Sequence, residues 1–90
     1  MISPGTPDMS ERVAITDRVR AFVEGRIGRP VAGDEKYFET GSVSSMFGLQ
    51  IISYIEQEFG LAVDDDDLVL ENFDCIANLA AFVGRKRERL

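Results

Sequence analysis

Apolar residues fall on helical spacing along most of the chain, and no stretch alternates like a strand. Ile15, Val19, Phe22, Val23 and Ile27 recur at intervals of three and four, which predicts a first helix with one apolar stripe. Its start is expected between Thr6 and Ser10, where Asp8 and Glu11 have the spacing of a capping-box-like pair. Gly28 and Pro30 stop it. A second stripe, Met46, Leu49, Ile52, Ile55 (or Ile51) and Phe59, predicts a helix over about 45–59, with Gly60 as its left-handed C-terminal residue. In that register Phe47 lies off the core stripe and is expected to face outward or toward the preceding loop. The run VDDDDLVLENF predicts a short third helix opening on aspartates, where the helix dipole favours negative charge. Asp74 then caps a last helix with Ile76, Leu79, Ala80, Phe82 and Val83 on its face, and the basic tail GRKRERL is expected to fray. The fold class read from this pattern is all-α: a small four-helix bundle of three main helices and one short one. It forms one domain over 1–90, with flexible tails at about 1–9 and 85–90.

Between the first two helices runs GRPVAGDEKYFETGS, long for a chain of 90 residues. A loop of that length needs an anchor or a function. Tyr37 and Phe38 are the expected anchors, packing back on the helices.

Charge adds to this picture through its distribution. The net charge is −6, but Met1–Gly33 carries +1, Asp34–Asp74 carries −10 and Cys75–Leu90 carries +3. An acidic centre excludes nucleic acid, which needs a basic surface. It suits basic protein partners, or simply keeps a small domain in solution. One cysteine rules out an internal disulfide. The apolar runs are too short for a membrane span, and the N-terminus lacks the basic start and apolar stretch of a signal peptide. The expectation is a soluble, monomeric, cytoplasmic domain with no membrane partner.

The segment GSVSSMFGLQ places serines at 42, 44 and 45, and the chain has no histidine. A Ser-His-Asp nucleophile is therefore impossible, and Cys75 has no histidine to form a thiolate pair. Lys36 and Lys86 sit in no serine–lysine motif. The run Asp64–Asp67 lacks the glycine and glutamate spacing of a calcium loop, so no metal site is expected. The chain reads as no enzyme. What remains is a serine that receives chemistry: a phosphate ester at a helix N-terminus would sit where free amides and the dipole favour an anion. On the local pattern alone an ordinary serine N-cap is the better account.

Over nearly its whole length, however, the chain resembles the acyl carrier protein family. The signature is carried by Gly41, Ser42, Val43, Ser44, Ser45 and Met46, then IEQEFG from Ile55 to Gly60, in the order and spacing of the family's four-helix pattern. In that family the modified serine lies fourteen positions before the phenylalanine, which here is Phe59. The resemblance thus implies a 4′-phosphopantetheine arm on Ser45, with Ser44 in place of the usual aspartate and Met46 in place of the usual leucine. It implies an acyl group held as a thioester. The partners it implies are a phosphopantetheinyl transferase, an acyl-activating ligase or acyltransferase, and polyketide synthase or nonribosomal peptide synthetase enzymes.

The chain departs from carriers of primary fatty-acid synthesis at the second helix. Its first turns, Met46, Phe47, Gly48, Leu49 and Gln50, carry no charge until Glu56. Phe47 is expected to be an exposed interface anchor beside Ser44 and Met46, with Asp66 and Asp67 supplying long-range attraction. Such a helix start looks more like the discrete carriers of secondary metabolism that serve polyketide, nonribosomal peptide or lipopeptide assembly. An aminoacyl carrier, and a non-modified helical interaction module in which Ser45 is only a cap, are the alternatives.

Overall fold

The computed structural model describes residues 9–88, and among these there is no strand. Three α-helices form the frame: α1 (Met9–Ile27), α2 (Met46–Phe59) and α3 (Ile76–Glu88). The all-α class expected from the periodicity is the one observed. Asp8, half of the expected capping pair, lies outside the described residues.

Ile15, Val19 and Val23 of α1 are buried, as are Ile76, Leu79, Phe82 and Val83 of α3, and the two helices lie alongside each other. α2 adds Ile51 and Ile55 to the same core and meets α1 through rings. Phe22 of α1 stacks on Tyr54 at 4.1 Å between centroids and on Phe47 at 5.8 Å, and Phe59 meets Tyr54 edge-on at 6.0 Å. Gly60 ends α2 with φ +67°, in the left-handed conformation its position predicts.

The face that α2 buries differs from the expected one. Phe47, Ile51, Ile55 and Phe59, spaced by four throughout, point into the core, whereas Met46 and Leu49 are 65% and 67% exposed. Phe47, expected to face outward or toward the preceding loop, takes the second course: it is 5% exposed and sits among Phe22 of α1 and the loop rings Tyr37 and Phe38, so it is no exposed anchor. The cause is an aromatic pocket assembled from α1 and the long loop. Burying a phenylalanine there is worth about 1.5–3 kcal/mol, and the ring pairs with Phe22, Tyr37 and Phe38 add to it.

The expected third helix is also corrected. In its place stand two single 3-10 turns, Asp65–Asp67 and Leu70–Asn72, parted by Val69 in extended conformation (φ −121°, ψ 144°). Asp67 turns back to accept from the Asp64 N–H at 2.9 Å, so the aspartates satisfy one tight turn locally rather than starting a longer helix. Lys86 then bridges Asp64 and Asp67 at 3.1 and 2.8 Å, and Arg87 bonds Glu11 at 2.7 Å. These contacts keep α3 helical to Glu88, through residues whose sequence suggested fraying.

Nor does Asp74 cap α3. The Cys75 thiol does so, accepting from the Asn78 N–H at 3.4 Å. Asp74 is buried one position earlier, where its carboxylate receives Lys36 Nζ at 3.1 Å and Asn78 Nδ2 at 3.0 Å. These contacts also tie down the long loop. Tyr37, fully buried, donates its amide to Asp74 O and its hydroxyl to Phe73 O, and Gly33 O accepts from the Ala77 N–H at 2.9 Å. Tyr37 is the loop's principal anchor, with Phe38 half-buried against it.

Candidate functional site

The site is built where this anchored loop turns into α2. Gly28, at φ +87°, releases the chain from α1, and Arg29 immediately forms a bidentate pair with Glu35 at 3.0 and 2.6 Å. Gly41, at φ +77°, makes the last turn of the loop, a conformation that side chains other than glycine resist. Ser42 follows, and its hydroxyl is saturated: it accepts from Arg29 Nη2 at 2.9 Å, meets Thr40 Oγ1 at 3.0 Å and donates to Glu35 Oε2 at 3.3 Å. Bonding to Arg29 holds the Glu35 carboxyl below its ordinary range, and the same bond raises Arg29. Of the three serines, Ser42 is thus the one bound into the scaffold.

Val43 packs against the core, and Ser44 and Ser45 are exposed. Ser45 already has helical angles (φ −61°, ψ −23°), and the carbonyls of Ser44 and Ser45 accept from the Phe47 and Gly48 amides at 3.0 Å each. The Ser45 side chain makes no capping hydrogen bond. Ser45 therefore holds the N-cap position directly before α2 without acting as a side-chain cap, and its hydroxyl is open to solvent. No acid lies in that first turn, so an anion esterified there would face the positive end of the helix without a competing carboxylate.

The other residues singled out by sequence divide. Met46 is exposed directly after Ser45. Phe47 is buried, so its expected place on the surface falls to Leu49, one turn on from Met46. Asp66 is exposed, whereas Asp67 is half-buried in its bond to Lys86. Among the described residues no hydrogen bond or ion pair joins the Asp64–Asp67 turn to the start of α2. Sequence reasoning missed Leu49 and the consecutive exposed residues Leu68, Val69 and Leu70. The four-residue spacing of 47, 51, 55 and 59 was the signal that would have turned Leu49 outward.

Ser45 thus offers an exposed hydroxyl, without a capping hydrogen bond, directly before the second helix of a three-helix frame. A family model described as a phosphopantetheine attachment site matches residues 17–83, and the chain belongs to that family of carrier domains, which bear covalently attached 4′-phosphopantetheine. Comparison with curated proteins and with solved structures finds no match.

Proposed function

We propose that Ser45 is the residue to which the 4′-phosphopantetheine arm is attached, and that the protein is an acyl carrier. The observation that supports Ser45 is its exposed hydroxyl, without a capping hydrogen bond at the N-cap position of α2, within the matched region. Ser42 is engaged by Arg29, Glu35 and Thr40. Ser44 is exposed as well, but it stands one position further from α2. The site fits the group: the phosphodiester would be built on the oxygen of a hydroxyl that makes no capping bond, at a helix end that favours an anion. When bound, the arm supplies a terminal thiol on which cargo is held as a thioester.

The chain's own residues contribute presentation. Phe47 in its aromatic pocket fixes the backbone that follows Ser45. Met46 and Leu49 give the enzyme that approaches the arm an apolar edge, and the exposed Asp65 and Asp66 give a basic partner long-range attraction. This uncharged first turn supports a dedicated partner set, of the kind used in polyketide, nonribosomal peptide or lipopeptide assembly, over the charge-driven docking of primary fatty-acid synthesis.

The test is intact mass after incubation with coenzyme A and a broad-specificity phosphopantetheinyl transferase. One phosphopantetheinyl group is expected on the wild type and on Ser44→Ala, and none on Ser45→Ala. Modification that survives in Ser45→Ala would refute the assignment.

A further inference from the structure

Resting on the assignment of Ser45, we infer that the Arg29–Glu35 pair, acting through Ser42, is a positioning device that presents Ser45 to the enzyme that installs the arm. The hydroxyl of Ser42 meets a cation, an anion and a second hydroxyl at once: Arg29 at 2.9 Å, Glu35 at 3.3 Å and Thr40 at 3.0 Å. Arg29 and Glu35 are themselves locked as a two-pronged fork, and Arg29 Nη1 also reaches Pro30 O at 3.0 Å. Charge-assisted bonds of this kind are the stronger ones, and the planar fork fixes direction as well as distance. The clasp therefore joins the exit of α1, the middle of the loop and the residue three before Ser45.

From Ser42 to Ser45 the chain spans at most about 11 Å, and Val43 between them packs against the core. On the far side Phe47 is buried. Ser45 is thus held from both directions while its own side chain bonds to nothing. The hydrophobic core explains the Phe47 end. It does not explain the Ser42 end, where the hydroxyl is held by hydrogen bonds to Arg29, Glu35 and Thr40. A surface clasp of this type adds little to global stability, but it removes conformations of the 42–45 segment that a docking enzyme would otherwise have to freeze out. Ordering entropy charged to association appears in KM, and leaves kcat alone once the serine is seated.

The experiment measures kcat and KM of a broad-specificity phosphopantetheinyl transferase for the full-length apo protein at saturating coenzyme A. Glu35→Gln is expected to raise KM for the carrier on the order of tenfold, with kcat within about twofold. Ser42→Ala, which removes only a surface hydroxyl, should shift KM in the same direction by less. The exchanged pair Arg29→Glu with Glu35→Arg keeps both a donor and an acceptor for Ser42 and should restore KM. Arg18→Gln breaks another surface pair, Arg18–Glu58 at 3.2 Å, and should leave KM unchanged. The inference is overturned if Glu35→Gln leaves KM unaltered or lowers kcat instead. It is equally overturned if Arg18→Gln raises KM as much, or if the exchanged pair does not recover it. Failure of the wild type to gain any mass at Ser45 would sink the attachment assignment, and this inference with it.

Discussion

The Tyr37 hydroxyl donates to the backbone carbonyl oxygen of Phe73, thirty-six positions further along the chain. It joins the loop that leads to Ser45 to the approach of α3, and burial raises the Tyr37 phenol well above its ordinary range. Removing the hydroxyl leaves a buried carbonyl without its partner. Tyr37→Phe should therefore cost about 1–3 kcal/mol, read as a lower urea midpoint with an unchanged slope.

Phe47 and Leu49 should respond in opposite ways. Phe47→Ala opens a hole among Phe22, Tyr37 and Phe38 and should cost about 3–5 kcal/mol; Phe47→Glu should not fold. Leu49→Glu changes an exposed position and should stay within about 0.5 kcal/mol of wild type. Its effect belongs to association: transfer by the dedicated partner enzyme should weaken by at least about fivefold in kcat/KM. A Leu49→Glu protein that folds and transfers normally would remove α2's apolar edge from the docking surface.

Asp74 ties part of the stability to pH. Burial on its own would raise its carboxyl, but the bonds from Asn78 and Lys36 outweigh that and hold it below the ordinary range. Its contribution is therefore present above the unfolded value of about 4 and disappears as pH falls through the lowered folded value. Near neutrality Asp74→Asn should be less stable than wild type by about 1–3 kcal/mol. The gap should close below pH about 4 in parallel urea titrations. A gap that persists in acid would place the effect in packing rather than charge.

Gly60 offers a test of backbone alone. A Cβ there meets nothing within 4 Å, but φ is +67°. Gly60→Ala should cost about 1–2 kcal/mol from conformation, and Gly60→Asn less, since asparagine tolerates this region better. Equal stability of the three proteins in thermal unfolding would contradict the left-handed cap.

The end of α1 and the span of α2 were legible to within a residue because they are written in local chemistry: Gly28 with Pro30, and Gly60 after Phe59. The rotation of α2 was not. Apolar residues occupy 46, 47, 49, 51, 52 and 55, so two overlapping stripes fit the same helix. The choice between them is made by rings from α1 and the loop, which are distant in sequence. Asp64 and Asp67 look like a helix start, yet they close a single turn with Lys86, and that pairing depends on where α3 lies. A thiol in the capping position of α3 carries no familiar sequence signal, while Asp74 beside it does. Among the serines, local pattern could not separate a cap from a modification site. The resemblance to carriers chose Ser45, and the structure adds that its hydroxyl caps nothing.

The bond between Glu11 and Arg87, seventy-six positions apart, joins the first turn of α1 to the last turn of α3. Topologically this makes the described polypeptide a nearly closed ring, entered and left at one place. A short linker across that junction would allow new ends to be cut elsewhere, or the whole unit to be spliced into a surface loop of a host protein through a single point of entry. The fold is in that sense portable as a cassette, with both connections on one side of the helical frame.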